Sequence, residues 1–461
     1  MWFETGRQDI TMETDRNKIL LESIKRLLRR NALGALRKIV NRTHAADLSG
    51  VFQSLPLSQQ RTLFDLIQNA EDKGLLFSLL EKDTFKILVT GMDLDAVAVI
   101  FESMPNDDVA DLIALLPQET ADVLLQKMHK EGSEEVEELL KYEDDTAGGI
   151  MVPDFIALKE DSTAREAIEA IQTEFADVEM PFYLYVIDEY ENLVGVSSLR
   201  QLVVVPPHTP LKSFMTTDVF SVRTDMDQEE VAKIVAKYDI LAVPVVDESH
   251  RLMGIVTVDD VIDIFRNEAT EDILKMAGAG EEFVETQSVL RSTRTRLPWL
   301  FWSCIGGIIA VLVVGHFEES IRKMAYLAAF IPVIMGMGGN IGTQSSTIVV
   351  RGLAVGRLNV QDIWKVVSKE LTVGLLMGCL YGVLIGIVAQ MRYQTVGVAL
   401  SAGLAVLSSM AVAALVGSLV PMLFERIKVD PAIATAPFVT TAIDIISVYC
   451  YFTIATNLIT L

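Results

Sequence analysis

Five apolar stretches crowd the last third of the chain, at roughly 297–317, 325–350, 370–391, 396–422 and 431–460. Each is long enough to cross a hydrocarbon core of about 30 Å as a helix. A chain so built must place these stretches in a bilayer, where every backbone polar group has to be satisfied internally. The last stretch, Pro431 to Leu461, holds one carboxylate, Asp444, and no lysine or arginine. Counted as helix from Pro431 at about 1.5 Å per residue, Asp444 lies roughly 20 Å into the core. An ionised side chain there costs about 2.5 to 3.5 kcal/mol on insertion scales and usually faces a water-filled path. The residue therefore implies a cation; the plainer alternative is a protonated or hydrogen-bonded structural acid. Pro332, Pro421 and Pro437, with the glycines around Gly338, predict broken or kinked helices lining a cavity.

Charge divides the chain near residue 290. The overall net is −23, but residues 291–461 carry 12 basic and 7 acidic side chains, net +5, which leaves −28 for residues 1–290. An acidic soluble half excludes nucleic acid as partner, because phosphate binding needs clustered Lys and Arg; it suits a cation. With the N-terminal half in the cytoplasm, Arg291, Arg294, Arg296, Arg351, Arg357, Lys365, Lys369, Arg426 and Lys428 lie inside and Arg322, Lys323 and Arg392 outside, as the positive-inside rule requires. Met1 to Lys25 is polar and shows no cleavable signal peptide. The expectation is a multi-pass cell-membrane (inner-membrane) protein with cytoplasmic N-terminal domains. Cys304, Cys379 and Cys450 read as small packing residues, and the five histidines form no ligand cluster.

Residues 18–140 alternate short apolar helical stretches with polar breaks, and Ser103-Met104-Pro105 and Leu115-Leu116-Pro117 repeat a helix-ending pattern twelve residues apart. That pattern predicts a small helical solenoid. Asp107, Asp108 and Asp111 stand at the start of one of its helices, either as N-terminal caps or as metal ligands. An internal repeat follows: Val186-Ile187-Asp188-Glu189 and Val245-Val246-Asp247-Glu248 are 59 residues apart, as are Leu193-Val194-Gly195-Val196 and Leu252-Met253-Gly254-Ile255. Upstream, Met151-Val152-Pro153-Asp154 matches Met215-Thr216-Thr217-Asp218. Each copy reads as strand, turn, strand between helices and resembles one of a tandem pair of CBS domains over about 146–270. The second copy ends in an acidic helix with Asp259, Asp260, Asp263, Glu268, Glu271 and Asp272. Like charges at i,i+3 and i,i+4 destabilise a metal-free helix, so a divalent cation would relieve it; a merely solvated acidic face is the alternative.

The second apolar stretch contains Pro332-Val333-Ile334-Met335-Gly336-Met337-Gly338-Gly339-Asn340-Ile341-Gly342-Thr343-Gln344. In a pore, Gly338 and Gly339 let carbonyls and Asn340 approach an ion; as packing residues they let helices approach each other. Asn340 and Gln344 are amides one turn apart in an apolar span. With Asp430-Pro431-Ala432 and Pro437-Phe438-Val439-Thr440-Thr441 ahead of Asp444, and with this domain order, the chain resembles the MgtE family of magnesium channels and transporters over nearly its whole length.

The resemblance implies a multi-domain fold: a helical solenoid-like N domain (1–140), an α/β tandem CBS pair (146–270), a connecting helix and linker (271–296) and a helical transmembrane domain with five spans (297–461). It implies a homodimer in the lipid bilayer with one central pore, Asp444 from each subunit at the ion site, and Asn340, Gly338, Gly339, Gln344 and Thr441 beside it. It implies import of Mg2+ and closure by cytosolic Mg2+, sensed by Asp227, Glu229, Asp239, Asp260, Asp263, Glu268, Glu271 and Asp272, with Asp107, Asp108 and Asp111. Some members bind ATP between the CBS domains, where Tyr183 and Arg200 fit; Ile240 stands where an aromatic would stack on the base. In the last span Thr435 and Ala436 depart from a stretch that is often richer in Gly or Asn.

Three other classes compete. A membrane-tethered cation sensor would not need polar residues in its spans. A slow coupled transporter of Mn2+ or Co2+ would use the same carboxylates, whereas an anion channel would favour basic groups in its filter. An enzyme is excluded by the lack of a nucleophile and base pair or a phosphate-cradling loop.

Overall fold

The computed structural model of the chain describes residues 18–173, 175, 182–279, 289–323, 325–433 and 439–459. It divides into two units, Met1–Phe265 and Arg266–Leu461.

The first unit begins with helices α1 (18–29), α2 (Leu33–Val40), α3 (Ala45–Gln53), α4 (Leu57–Phe64), α5 (Ala70–Ser78), α6 (Lys82–Thr90), α7 (Leu94–Phe101), α8 (Asn106–Ala114), α9 (Gln118–Lys127) and α10 (Lys130–Leu139). Most run two to three turns, too short to persist alone in water, so they depend on stacking. α3 packs on α5, α5 on α7, α7 on α9 and α8 on α10, which is the alternation of a solenoid. Pro56, Pro105 and Pro117 sit at the N-caps of α4, α8 and α9, where a missing N–H forfeits no helix bond. The repeated Pro signal thus marks helix starts as well as helix ends.

Next come β1 (Ala157–Lys159), α11 (Ala164–Thr173), β2 (Tyr183–Ile187), β3 (Leu193–Ser198) and α12 (Leu199–Val204), and then β4 (Val222–Arg223), α13 (Gln228–Tyr238), β5 (Ala242–Val246), β6 (Leu252–Thr257) and α14 (Val258–Met276). Each copy forms a three-stranded sheet whose first pair is parallel and second antiparallel. The 59-residue repeat extends to the turns. Asp188 accepts the backbone N–H groups of Tyr190 and Asn192, Asp247 those of Ser249 and Arg251, and Glu191 and His250 close the two turns at φ 66°. The glycines of the repeat admit methionines across the pair: a Cβ on Gly195 would stand 2.5 Å from Met215 Sδ, and one on Gly254 2.9 Å from Met151 Sδ. A single apolar core runs from Ile24 through the solenoid to Val231, Val245 and Ile264 of the second copy.

The second unit holds α15 (Val289–His316), α16 (Glu318–Lys323), α17 (Ile331–Ala354), α18 (Ile363–Tyr393), α19 (Val396–Arg426) and α20 (Thr440–Ile459). Five of its segments are long and apolar enough to span a membrane: Ser292–His316, Ala325–Ala354, Val360–Tyr393, Val396–Arg426 and Thr440–Leu458. α19 is the hub, packing on α17, α18 and α20 through small buried residues such as Ala402, Ala405, Ser409 and Gly417. A Cβ on Gly382 of α18 would lie 2.6 Å from the Gly403 carbonyl oxygen, the close backbone approach by which membrane helices associate. The expected breaks are not found at Pro332, Gly338 or Pro421, because α17 and α19 run through them. Pro332 falls in the first turn of α17, where no helix bond is lost; Pro437 lies outside the described residues. Cys304 and Cys379 are exposed rather than packed.

Candidate functional site

On α17 the helical period sorts residues onto two faces. Ile334, Gly338, Ile341, Gly342 and Ser345 are buried, while Gly336, Asn340, Thr343, Gln344 and Thr347 form an exposed lane. The expected pairing of Asn340 with Gln344 therefore holds, and Gly339 beside them has nothing within 4 Å of a built Cβ. Gly338 is different. A Cβ there would stand 2.4 Å from Ser409 Oγ and 3.1 Å from Ser447 Oγ, so its immediate role is to admit two hydroxyls behind the lane. Ser409 Oγ lies 2.7 Å from Ser447 Oγ and 3.1 Å from the Ile334 carbonyl oxygen, all buried, which joins α19, α20 and α17 at one point.

Ser447 is three residues past Asp444 on α20, so that junction holds the helix carrying the carboxylate. Asp444 itself is half-buried. Residues 431–433 form a turn rather than helix, and the described helix runs Thr440–Ile459, so the depth counted as continuous helix from Pro431 is revised. A turn precedes the helix: Asp430 accepts the Ala432 N–H at 2.7 Å. Thr435 and Ala436 lie outside the described residues. Thr441 packs against α15, where a Cβ on Gly306 would collide with its methyl.

In the first unit, Asp260 exerts its field on both Asp107 and Asp111, and Asp108 on Asp107. Burial, then Asp108 and then Asp260, push the Asp107 carboxyl up to about 8, although the N–H groups of Asp107 and Asp108 at the helix start oppose this. Its Oδ1 is buried without a hydrogen-bond partner. Asp111, exposed as a residue yet crowded at its carboxyl, is raised to about 6 by that desolvation, by Asp144 and by Asp260, with Lys82 opposing. Thr257 donates to Asp260 at the start of α14. An orphaned buried oxygen among like charges fits a hard divalent cation, which takes oxygen ligands and keeps part of its water. Among the described residues no three acidic, His or Cys side chains already converge into a cage.

The other expected sensors have local roles. Asp227 caps α13 by accepting the Glu229 N–H at 2.8 Å, Glu229 pairs with Lys233 at 3.0 Å, and Asp239 ends the helix at φ 51°. Asp263 is exposed; Glu268 and Asp272, in the second unit, are half-buried. Glu271 is already paired with Lys275, whose Nζ also lies 2.8 Å from Asp430 Oδ2, so this expected ligand carries its own cation. Tyr183 is half-buried on β2 and Arg200 exposed on α12. Sequence reasoning missed Lys275, Asp144, Ser409 and Ser447. An i,i+4 Glu–Lys pair was readable for Lys275; the serines carry no signal beyond being polar in an apolar span.

Comparison with known proteins accords with this arrangement. The model of the MgtE divalent cation transporter family matches residues 331–454, that of the MgtE intracellular N domain 43–145, and that of the CBS domain 147–207 and 211–267. The magnesium transporter MgtE of Bacillus subtilis is 32% identical over 94% of this chain and 96% of its own length. That of Thermus thermophilus is 33% identical over 95% and 98%. A solved cytosolic domain of the Mg2+ channel MgtE, in complex with ATP, is 34% identical with a TM-score of 0.50, covering 53% of this chain and 99% of that one. With five spans and a relative matched from end to end, the chain is a multi-pass membrane protein that belongs to the MgtE family of divalent cation transporters.

Proposed function

We propose that this protein imports Mg2+ through a pore lined by α17 and α20 of two identical subunits and is closed by Mg2+ on its cytosolic side. The observation that carries the reading is Asp444, a half-buried carboxylate within an apolar span, in a unit whose neighbouring helix presents the Asn340 and Gln344 lane. Mg2+ dehydrates reluctantly and prefers one or two carboxylates plus water. Asp444 attracts the hydrated ion, while Asn340, Gln344 and the backbone at Gly339 hydrogen-bond its water shell. A larger cation with a looser shell matches those donors less well.

For gating, Asp107, Asp108, Asp111 and Asp260 would hold cytosolic Mg2+, which supplies the positive charge that the cluster lacks. Without it, once the pH is high enough to ionise Asp107, unit charges about 4 Å apart repel by roughly 4 kcal/mol at an effective dielectric of 20, and the solenoid helix carrying Asp107 is pushed from the start of α14. Lys275, bound to Asp430 ahead of the last span, ties the end of α14 to the segment that leads into the Asp444 helix. Asp227, Glu229, Asp239 and Asp263 are proposed as peripheral sensors in the first unit, and Glu268 and Asp272 as Mg2+ ligands on the part of α14 that lies in the second unit. The functional divisions are 1–140, 146–270, 271–296 and 297–461. ATP at Tyr183 and Arg200 is a secondary proposal, tested by calorimetric titration of the full chain.

Currents from inside-out patches should open when cytosolic Mg2+ is scarce and close as it is raised toward about 10 mM, because Mg2+ bound by the closed state shifts the population to it. Silence throughout, with Mg2+ binding retained, would instead favour a sensor. Gly338→Ala should cost about 1 to 3 kcal/mol by overpacking and cut flux by parting Ser409 from Ser447. Wild-type flux from that variant would show that the serine junction does not hold the Asp444 helix.

A further inference from the structure

A second carboxylate lies inside the membrane unit, and the mechanism above does not use it. Glu370, on α18, is 5% exposed; Ser345 of α17, 1% exposed, donates its hydroxyl to Glu370 Oε2 at 2.9 Å. Val366 and Val367, one turn back on α18, and Val349, one turn on along α17, belong to an apolar cluster with Met422. Among the described residues no lysine, arginine or histidine pairs with Glu370. Stability alone does not account for such a pair, since replacing both partners of a buried hydrogen bond by apolar groups of the same shape can be nearly neutral or stabilising.

Placement suggests what the carboxylate does. α17 packs mainly on α19 and α20 and meets α18 only sparsely, and among the described residues the Ser345–Glu370 bond is the one side-chain hydrogen bond joining α17 to α18. Ser345 follows Gln344 and is five residues past Asn340. At about 100° per residue it stands roughly 100° and 140° around the helix from them. Anchoring Ser345 from behind therefore fixes the azimuth of the exposed lane. On its buried face Ile334 and Ile341 pack into the core shared with α19 and α20, and the Ser409 hydroxyl bonds the Ile334 carbonyl oxygen, so α17 is held there ahead of Ser345 while Ser345–Glu370 fixes it beside Gln344.

We infer that Glu370 is a positioning residue for the ion lane: by accepting the Ser345 hydroxyl, its carboxylate sets the rotation of α17 and hence the direction that Asn340 and Gln344 face. The inference rests on the transport function proposed above. The bond, rather than the charge, is what matters, so an amide at the same position keeps the function.

The test measures Mg2+ entry into liposomes holding the full-length protein, with an internal Mg2+ dye, for wild type, Glu370→Gln, Glu370→Leu, Ser345→Ala and the Ser345→Ala/Glu370→Leu double variant. Glu370→Leu and Ser345→Ala should each lower maximal flux about tenfold, the scale of one lost buried hydrogen bond, with half-saturating Mg2+ changed much less. The Ser345→Ala/Glu370→Leu double variant should melt no lower than wild type, Glu370→Gln should conduct like wild type, and the double variant should carry no less flux than Glu370→Leu. Wild-type flux from Glu370→Leu, or a Glu370→Gln variant as poor as Glu370→Leu, overturns the inference. Should Glu370→Leu not fold, Ser345→Ala decides: undiminished flux overturns the inference as well. A wild-type protein that passes no Mg2+ would sink the transport reading instead, which separates the two failures.

Discussion

Asp444→Ala should lower Mg2+ flux by about a hundredfold or more, the scale set by removing unit charges that each act with roughly 4 kcal/mol at 4 Å and an effective dielectric of 20. The protein should remain folded and keep the oligomeric state of the wild type. Asp444 is half-buried, and removing an intramembrane carboxylate relieves a desolvation cost, so the melting temperature should hold or rise while transport is lost. Asp444→Asn separates charge from oxygen donors. It keeps an oxygen able to meet the water shell of the ion but gives up the attraction, so it should behave like alanine in flux. Liposome uptake together with size-exclusion and thermal melting checks all three points. Robust uptake by Asp444→Ala would remove the residue from the ion path and leave the Asn340 and Gln344 lane without its charged partner.

The fold was largely legible because its signals are periodic. Apolar runs of membrane length, a 59-residue repeat anchored by Asp188 and Asp247, and prolines at Pro105 and Pro117 each report a local geometry that tertiary context does not override. The site was legible only where chemistry is conspicuous against its surroundings, as with Asp444 in an apolar run or two amides one turn apart. Glu370 escaped because it stands at the edge of its apolar run beside Lys369, where an acid looks like an interfacial residue. Its 5% exposure comes from packing between helices that no one-dimensional pattern reports. Gly338 was ambiguous for the same reason: a glycine in a span serves a pore or a contact alike, and the Ser409 and Ser447 hydroxyls that decide the matter lie 71 and 109 positions away. Among the acids, charge density pointed to α14, but pairing is a property of the neighbours. Glu271 has Lys275 and Glu229 has Lys233, whereas Asp107 faces the like charges of Asp108 and Asp260, with backbone N–H groups at the helix start and one buried, unpartnered oxygen.

That last contrast yields the second large effect, a pH dependence of Mg2+ sensing. Burial and the neighbouring Asp108 and Asp260 raise the Asp107 carboxyl from 3.8 to about 8. Between those values the folded protein holds a proton that the unfolded chain does not, so in the absence of metal the stability of this arrangement falls as pH rises through that window. Mg2+ requires the ionised carboxylate and must displace the proton. Its apparent affinity should therefore weaken by up to about tenfold for each pH unit from about 8 down to about 6, and level off above 8. Asp111, raised to about 6, steepens the loss further below that value. Asp107→Asn resolves what charge counting leaves open for the acidic helix. The carboxyl already favours its neutral form without metal, so the amide should reproduce the proton-bound state, keep the solenoid helix of Asp107 against the start of α14 at alkaline pH without Mg2+, and flatten the pH dependence between about 6 and 8. Thermal melts of the full-length protein with and without Mg2+ at acidic, neutral and alkaline pH measure both. A Mg2+-induced shift that is the same at every pH in the wild type, or a slope that survives in Asp107→Asn, would place the sensor away from this cluster and return the gating role to the carboxylates of α14 alone.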